Sequence, residues 1–571
     1  MLDEDEQLLR AAGLLEYTNR SPDTLRALHF HLHLNAFRPN SLWARNETRP
    51  EYDFQALDPS ETGYERLLGA EVAGRPLAQR YPVAPDSTVV ELLLPSPLPP
   101  GGVIEVGLRW EARPSTLCRR QCRKGRHYDF AQWYPRIAVY ERGGWQSHPL
   151  YPQGEFYGEF ATYDVTLELA GDQVIAATGV PLSGDPGWER AAARVSGRAA
   201  EGAVDRRSFY GPAPERESPG PLRPSTAPGR KRVRFYAEQV HHFAWSVDPE
   251  FRYEGALVGR TKPEAGGDVA LHVLYRPEAV ASWGGGLVLE RTAEALRWME
   301  EVFGPYPYPQ LTNVQRLERG GTEFPMLVMN GSAGAGLILH EVAHQYAHGI
   351  LANNEWREAW LDEGLADFLT TWHREQESGP GVWLGTMQGL ERLERFGLSE
   401  PVSTPAKDFS SFQMYGAMSY AKASVVFRML RELLGEEDFR RLLREYYARY
   451  RFRHVTEVDL RRVAAEVTGR PLDWFFDGWL HGTETLDYAI RDVELERLPD
   501  GSWRTTVIIE RRGRNWMPVT VRADAVDALA ESREPIQTVV FVTPSRPRVI
   551  EIDPHFVLLD ADRSNNRVEV G

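Results

Sequence analysis

Cysteine is nearly absent from this chain: 571 residues hold two, Cys118 and Cys122. A pair cannot make a disulfide scaffold. Its CRRQC spacing allows a local bridge or half a metal site, but no second pair follows to complete a zinc centre. Two incidental thiols or one surface bridge are therefore expected. Long apolar runs are missing too. None approaches the roughly 18 residues that a membrane span needs, so no transmembrane segment is expected. Positive charge is in deficit, with 66 Lys and Arg against 81 Asp and Glu and a formal net charge of −15. That balance argues against a nucleic-acid-binding surface and favours a cationic or amine-bearing ligand. The opening MLDEDEQLL has neither a basic nor an apolar leader region, and it reads as though it begins inside a strand. The sequence leaves the compartment open between a secreted or periplasmic mature form and a cytoplasmic protein. It gives no oligomeric state.

What is present is globular: 42% hydrophobic and 26% charged residues, in a chain too long for one core. The first 250 residues alternate as strands do. In LRALHFHLHL (25–34), Leu28, Phe30, Leu32 and Leu34 share one face and His29, His31 and His33 the other. Further strands are expected at 87–95, 103–112, 161–170, 173–179 and 231–240, a density that suggests a large antiparallel sheet or saddle. The Pro, Gly, Arg and Ser-rich stretch 216–231 reads as an exposed loop. The period then changes. LVLERTAEALRWMEEVFGP (287–305) has helical spacing and stops at Gly304-Pro305, and helices are expected near 335–351, 355–374, 420–434, 436–450 and 458–481. Alternation returns after Tyr488 over about 85 residues, the size of a small sandwich. The expected class is multidomain α+β: an amino-terminal β-domain (1–255), a mainly helical domain (256–485) and a small carboxy-terminal β-sandwich (486–571).

The chemistry sits in GLILHEVAHQYAHG. His340 and His344 are four apart, so on a helix they share a face and both imidazoles reach one metal ion. Eighteen residues then separate His344 from Glu363 in NNEWREAWLDEGLAD. That interval lets one helix end, turn and return as a second that delivers a carboxylate. Gly349 is suited to end the first helix, and Asn353 or Asn354 to cap the next. Two imidazoles and one carboxylate leave Zn²⁺ an open position for water, the mark of a catalytic site. One Zn²⁺ per chain is expected on His340, His344 and Glu363. Glu341, beside the ligands, is the natural general base for that water.

HEVAH, the eighteen-residue interval and WLDEGLA resemble the gluzincin zinc aminopeptidases related to aminopeptidase N and leukotriene hydrolase. The segment GGTEFP is similar to the GGMEYP variant of short bacterial members, with Thr322 in place of methionine. The resemblance implies an amino-terminal β-saddle before a thermolysin-like catalytic domain. It also implies that Glu323 binds the α-amine of a peptide, and leaves the first side-chain pocket undefined at Thr322; Gly320 and Gly321, which have no bulk, are expected to bind substrate too, their backbone running beside an extended peptide like an edge strand. In MSYAKASVVFRMLRELLGEEDF, Tyr420 matches the tyrosine that stabilises the oxyanion. Lys422 supports that match, Ala423 stands where glycine is common, and Tyr415 is the competing tyrosine. QWYPRIAVYE, GEFYGEFATYDVTL and DWFFDGWLHGT extend the likeness over most of the chain. A Gln or Glu from the first domain also helps hold the amine in such proteins, and Gln132, Gln153 and Glu155 are candidates.

Other residues have weaker claims. Asp367 is equally suited to orienting a ligand histidine or to a solvated helix face. A fourth ligand at His348 would close the site, so packing is expected there. The histidines of HFHLH lack a matching carboxylate and are not expected to hold metal. The tyrosines of GPYPYP and the sixteen Trp are expected in the core. The favoured function is a zinc aminopeptidase acting on peptides with a free amino terminus. A zinc endopeptidase and, further off, a non-catalytic peptide-binding scaffold are the alternatives.

Overall fold

A computed structural model of the chain describes residues 1–196, 228–261 and 267–570. The expected loop at 216–231 therefore lies almost wholly outside the described residues. The rest divides into two compact units: residues 1–352 with 451–453, and residues 353–450 with 454–571.

The first unit opens with antiparallel sheets. Leu8–Thr18, Val103–Arg113 and Tyr64–Val72 pair in one. Leu25–His31 pairs with Val89–Leu98 in a second. His127–Phe130, Trp245–Asp248 and Val174–Ala177 form the centre of a third, and Ala161–Ala170 joins Arg230–Val240 in a fourth. Alternating side chains bury one face of these strands, as in the B-e-B-e rhythm of Tyr64–Val72. The strand at 25–34 is shorter than its alternation predicts. It stops at His31, and His33–Ala36 forms a 3₁₀ turn. His31 and His33 are buried there, stacked with ring centroids 4.4 Å apart. His33 donates from Nδ1 to Gln132 Oε1 at 3.1 Å. Burial holds both imidazoles well below their ordinary pKa, hence neutral.

The same unit contains a five-stranded mixed sheet: β1 (Arg252–Val258), β2 (Val269–Tyr275), β3 (Gln310–Gln315), β4 (Gly321–Phe324) and β5 (Leu327–Asn330), in the order β1-β2-β3-β5-β4. β2, β3 and β5 run parallel, and β4 returns antiparallel to β5 as an edge strand. Parallel neighbours need a crossover, and α1 (Leu287–Val302) supplies it between β2 and β3. Val288, Leu296, Met299 and Val302 are buried at helical spacing. Its start is tied down by the Glu254 carboxylate, which accepts from the N–H groups of Gly285 and Gly286 at 2.8 and 2.9 Å. One apolar cluster runs from Val174 and Ala244 through Trp188 to Leu274, Val314 and Met329, so the antiparallel sheets and the mixed sheet share a core. Tyr306 and Tyr308 of GPYPYP are buried, and among the described residues six Trp are almost fully enclosed, whereas Trp145, Trp474, Trp503 and Trp516 are only half-buried.

The second unit begins with helices and ends with sheets. Its helices include Glu363–Ser378, Leu384–Arg395, Ala423–Leu434, Glu436–Tyr450 and Glu457–Thr468. Tyr488–Arg497, Trp503–Arg511 and Ile536–Thr543 make a three-stranded sheet. Val519–Ala523 is central in a four-stranded one. Together the units give the expected succession of β, mainly helical and β segments. Among the described residues, no helix is long and apolar enough to cross a membrane.

Candidate metal centre

In the first unit, α2 (Ala335–Ala343) packs on β4 and β5. Its last turn carries His340, and His344 follows as the C-cap with its N–H still bonded to the His340 carbonyl at 3.1 Å. The helix is much shorter than the periodicity to residue 351 predicts. Gln345 and Tyr346 tighten to i−3 bonds, and His348 reverses the chain at φ 112°. The reason is tertiary: the buried Gln345 side chain is committed elsewhere. Its Oε1 accepts from the Met326 N–H at 2.8 Å and its Nε2 donates to the Phe324 carbonyl at 3.0 Å. This one side chain ties the histidine turn to the β4–β5 hairpin. Sequence reasoning passed over it; an amide following H-E-x-x-H in an apolar stretch is the signal that was available.

The two imidazoles converge, with Nε2 atoms 3.1 Å apart. His344 Nδ1 lies 3.1 Å from the Ala347 carbonyl, which assigns its proton to Nδ1 and leaves Nε2 as a lone pair facing His340. Two facing nitrogens of this kind suit a shared cation. Adding a carboxylate makes the donor set typical of zinc. Glu341 is buried beside them, and its Oε2 has no hydrogen-bond partner. Burial raises the Glu341 pKa above the ordinary carboxyl range. The nearby Glu323 raises it further, while His340 and His344 pull it down.

β4 explains its glycine. Along a strand alternate residues share a face, so Gly321 and Glu323 look one way and Thr322 and Phe324 the other. A Cβ on Gly321 would overlap the Glu341 carboxylate. Gly320 instead needs freedom at φ 74°. Glu323 is 8% exposed. Thr322 turns away from it: its hydroxyl accepts from Arg120 Nη1 at 3.2 Å and from Arg316 Nη1, and donates to the Gly321 carbonyl at 2.7 Å. His348 packs edge-on against His241, with ring centroids 4.5 Å apart. Gln132 is bonded to His33, and Glu155 forms an ion pair with Arg120.

In the second unit, Glu363 opens α3 (Glu363–Ser378) and is buried. A carboxylate in a first turn also meets the positive end of the helix dipole. The expected asparagine cap is not formed. Asp362 is the N-cap, and Asn353 instead donates to Asp362 Oδ1 at 2.7 Å and to the Glu358 carbonyl at 3.0 Å. Tyr420 donates from its phenol to Glu363 Oε1. It sits in a π-helical turn, Gly416–Lys422, leading into α4 (Ala423–Leu434). Such turns re-aim side chains and recur at functional positions. Tyr415 is 2% exposed and lies edge-on to Tyr420, with ring centroids 5.7 Å apart, and burial drives its pKa far upward. Lys422 pairs with Glu394 at 2.8 Å. The motif's small residues also find a reason here. A Cβ on Gly364 would overlap that of Ala423 and fall 3.1 Å from the Ser419 carbonyl. Gly364 and Ala423 thus let the Tyr420 turn lie close against α3.

Residues 328–479, which include the histidine helix and both tyrosines, match the Peptidase family M1 domain. Over that stretch the chain is similar to peptidase family M1. Among curated proteins, the chain is 25% identical over 313 residues to aminopeptidase 2, mitochondrial, of Saccharomyces cerevisiae, covering 49% of this chain and 32% of the yeast protein. It is 26% identical over 238 residues to aminopeptidase M1-C of Oryza sativa subsp. japonica, covering 37% and 26%. The chain thus spans between a quarter and a third of these M1 relatives. Among solved structures, aminopeptidase A of Legionella pneumophila superposes with a TM-score of 0.65 at 13% identity, covering 96% of this chain and 57% of that one. The M1 zinc metallopeptidase of Deinococcus radiodurans gives 0.55 at 18%, covering 83% and 89%. The three share a fold.

Proposed function

We propose that this protein is a zinc-dependent aminopeptidase that removes residues from the amino terminus of peptides. In this reading His340, His344 and Glu363 hold one zinc ion, Glu341 is the general base, Tyr420 stabilises the oxyanion and Glu323 anchors the amine. The observation that carries it is the face shared by Gly321 and Glu323. An edge strand sets a carboxylate beside Glu341, and its outer edge is where an extended peptide would pair. The aminopeptidase names of the yeast and rice relatives support the same reading.

When bound, zinc supplies Lewis acidity toward the scissile carbonyl and lowers the pKa of a water. The protein's own groups do the rest. The Glu341 carboxylate takes a proton from the attacking water and later delivers it to the leaving amine. Its raised pKa suits a group that must both accept and release a proton near neutrality. The Tyr420 phenol exchanges its bond to Glu363 for one to the oxygen that becomes negative. Glu323 offsets the cost of desolvating the substrate ammonium, so cleavage is counted from the terminus.

Glu323→Ala tests this against turnover of amino-acid anilides and their N-acetylated forms. Zinc content should persist, and kcat/KM on free-amine substrates should fall by about 2–4 kcal/mol, the scale for removing one partner of a desolvated charge pair. Acetylated substrates should be nearly untouched. Equal losses on both would remove Glu323 from amine recognition and bring the endopeptidase reading forward.

A further inference from the structure

Behind the amine-anchor strand lies a cationic cluster that the reaction above does not use. The chain's two cysteines form a disulfide, Cys118–Cys122, and Cys122 is buried rather than at the surface. The loop it closes is fixed from several sides. Gln121 Oε1 accepts from the Ser115 N–H at 2.6 Å, and Gln121 Nε2 donates to Ser115 Oγ at 2.9 Å. At the tip Arg120 takes φ 62°, a conformation a non-glycine residue keeps only when its surroundings enforce it. Its N–H donates to Glu318 Oε2 at 2.7 Å, and Glu318 Oε1 accepts from Arg119 Nη1 at 3.3 Å and from the Tyr52 hydroxyl at 3.2 Å.

The Arg120 guanidinium is thereby delivered, about 10% exposed, to the back of β4. One arm pairs with Glu155 and the other donates to Thr322 Oγ1. A threonine hydroxyl has two acceptor sites and one donor. Here Arg120 and Arg316 take both acceptor sites, and the Gly321 carbonyl takes the donor. Thr322 is therefore a saturated junction joining two guanidinium groups to the backbone of the strand. A methionine at this position could not make these three bonds, so the threonine of GGTEFP and the arginines of CRRQC belong to one device.

We propose that Arg120 is a positioning residue: through Thr322 it holds β4 in place, so that Glu323, the next residue and on the opposite face, meets the substrate amine without rearrangement. This rests on the reading of Glu323 as the amine anchor. A preorganised anchor lowers the cost of binding and leaves the chemical step alone, so the effect belongs in KM.

Thr322→Val is the main test, because it is nearly isosteric and leaves every buried charge paired. Arg120→Lys keeps the charge and at most one of the two contacts. On the best-cleaved amino-acid anilide, Thr322→Val should raise KM about tenfold with kcat within about twofold, the scale of one or two lost hydrogen bonds to a charged group. Arg120→Lys should raise KM by a smaller factor. The double variant should be no worse than the more affected single variant, because both act on one junction. Unchanged KM in both single variants, equal losses in kcat, or multiplying effects in the double variant would overturn the inference. Glu323→Ala is run in parallel. If it raises KM while Thr322→Val and Arg120→Lys do not, Arg120 has no positioning role and the amine anchor stands. If Glu323→Ala leaves KM unchanged, the anchor reading and this inference both fail.

Discussion

Gly321→Ala should separate the catalytic role of the Gly321 and Glu323 face from its role in folding. The added methyl points at Glu341 and overlaps its carboxylate and Cγ. Gly321 is not at positive φ, so the backbone bears little strain. Relief must come from the Glu341 side chain, a flexible group able to swing aside. Overpacking of this kind costs about 1–3 kcal/mol of stability, and the low end applies where the displaced atoms end a side chain. Catalysis has no such tolerance. A displacement of about 1 Å in a reacting group costs on the order of a hundredfold, and here the displaced group is the proposed base itself. The expected outcome is kcat reduced about a hundredfold, zinc content unchanged and a melting temperature within a few degrees of the parent. Gly320→Ala is the control. Its Cβ would meet nothing nearer than Arg316 Nη2 at 3.5 Å, but its φ of 74° penalises any side chain. That variant should lose about 1 kcal/mol of stability with kcat within twofold. A Gly321→Ala enzyme with full zinc and more than half the parental kcat would refute the assignment of Glu341 as base.

Three further outcomes follow from the same geometry. Glu341→Gln should keep zinc and melting behaviour but lose about 10²–10⁴ in kcat, since it removes a proton acceptor and no ligand; a metal-depleted variant would contradict that role. Tyr420→Phe should lower kcat by roughly 10²–10³ with little change in KM, whereas Tyr415→Phe, at a buried side chain, should remain near the parent; the reverse pattern in steady-state kinetics would exchange the two tyrosines. The third concerns stability and pH. Burial alone would lower the pKa of His127, but Asp129 and Asp248, each 3.1 Å from a ring nitrogen, outweigh it and raise the value to about 9. The folded value exceeds the unfolded one near 6.5. The resulting stabilisation, about 3 kcal/mol by linkage, is complete below pH 6.5 and is lost as pH rises through about 9. The urea midpoint of the parent minus that of His127→Gln should therefore shrink between pH 6 and pH 10; a constant difference would show that His127 is not charged in the fold.

What the sequence determined by itself was local and periodic. An i, i+4 pair of histidines lies on one helical face whatever surrounds it, and so His340 and His344 could be brought together on paper. Alternation placed six strands of the first 250 residues, among them Val103–Arg113 and Ala161–Ala170, but not Leu8–Thr18, Tyr64–Val72 or His127–Phe130, and the return of alternation after Tyr488 marked the closing sheets, because side-chain direction follows backbone period. The terminus of α1 at Gly304-Pro305 was legible for the same reason. The tertiary structure decided whatever depended on residues distant along the chain. α2 stops at the histidines because Gln345 is bound to the β4–β5 hairpin, and no periodicity within 335–351 encodes that partner. His31 and His33 alternate like a solvated row, yet lie inside because Gln132, roughly a hundred residues away, accepts from one of them. Nothing local marks Gly321 or Gly364 as sterically required; Glu341 and Ala423 lie in the space a Cβ would take. Thr322 looked like a change to a pocket wall, but Arg120 and Arg316 make it a junction on the opposite face. Spacing encodes what one element can present. Which distant group fills the space beside it follows from packing, where close contact and the need to satisfy every buried polar atom select a single partner.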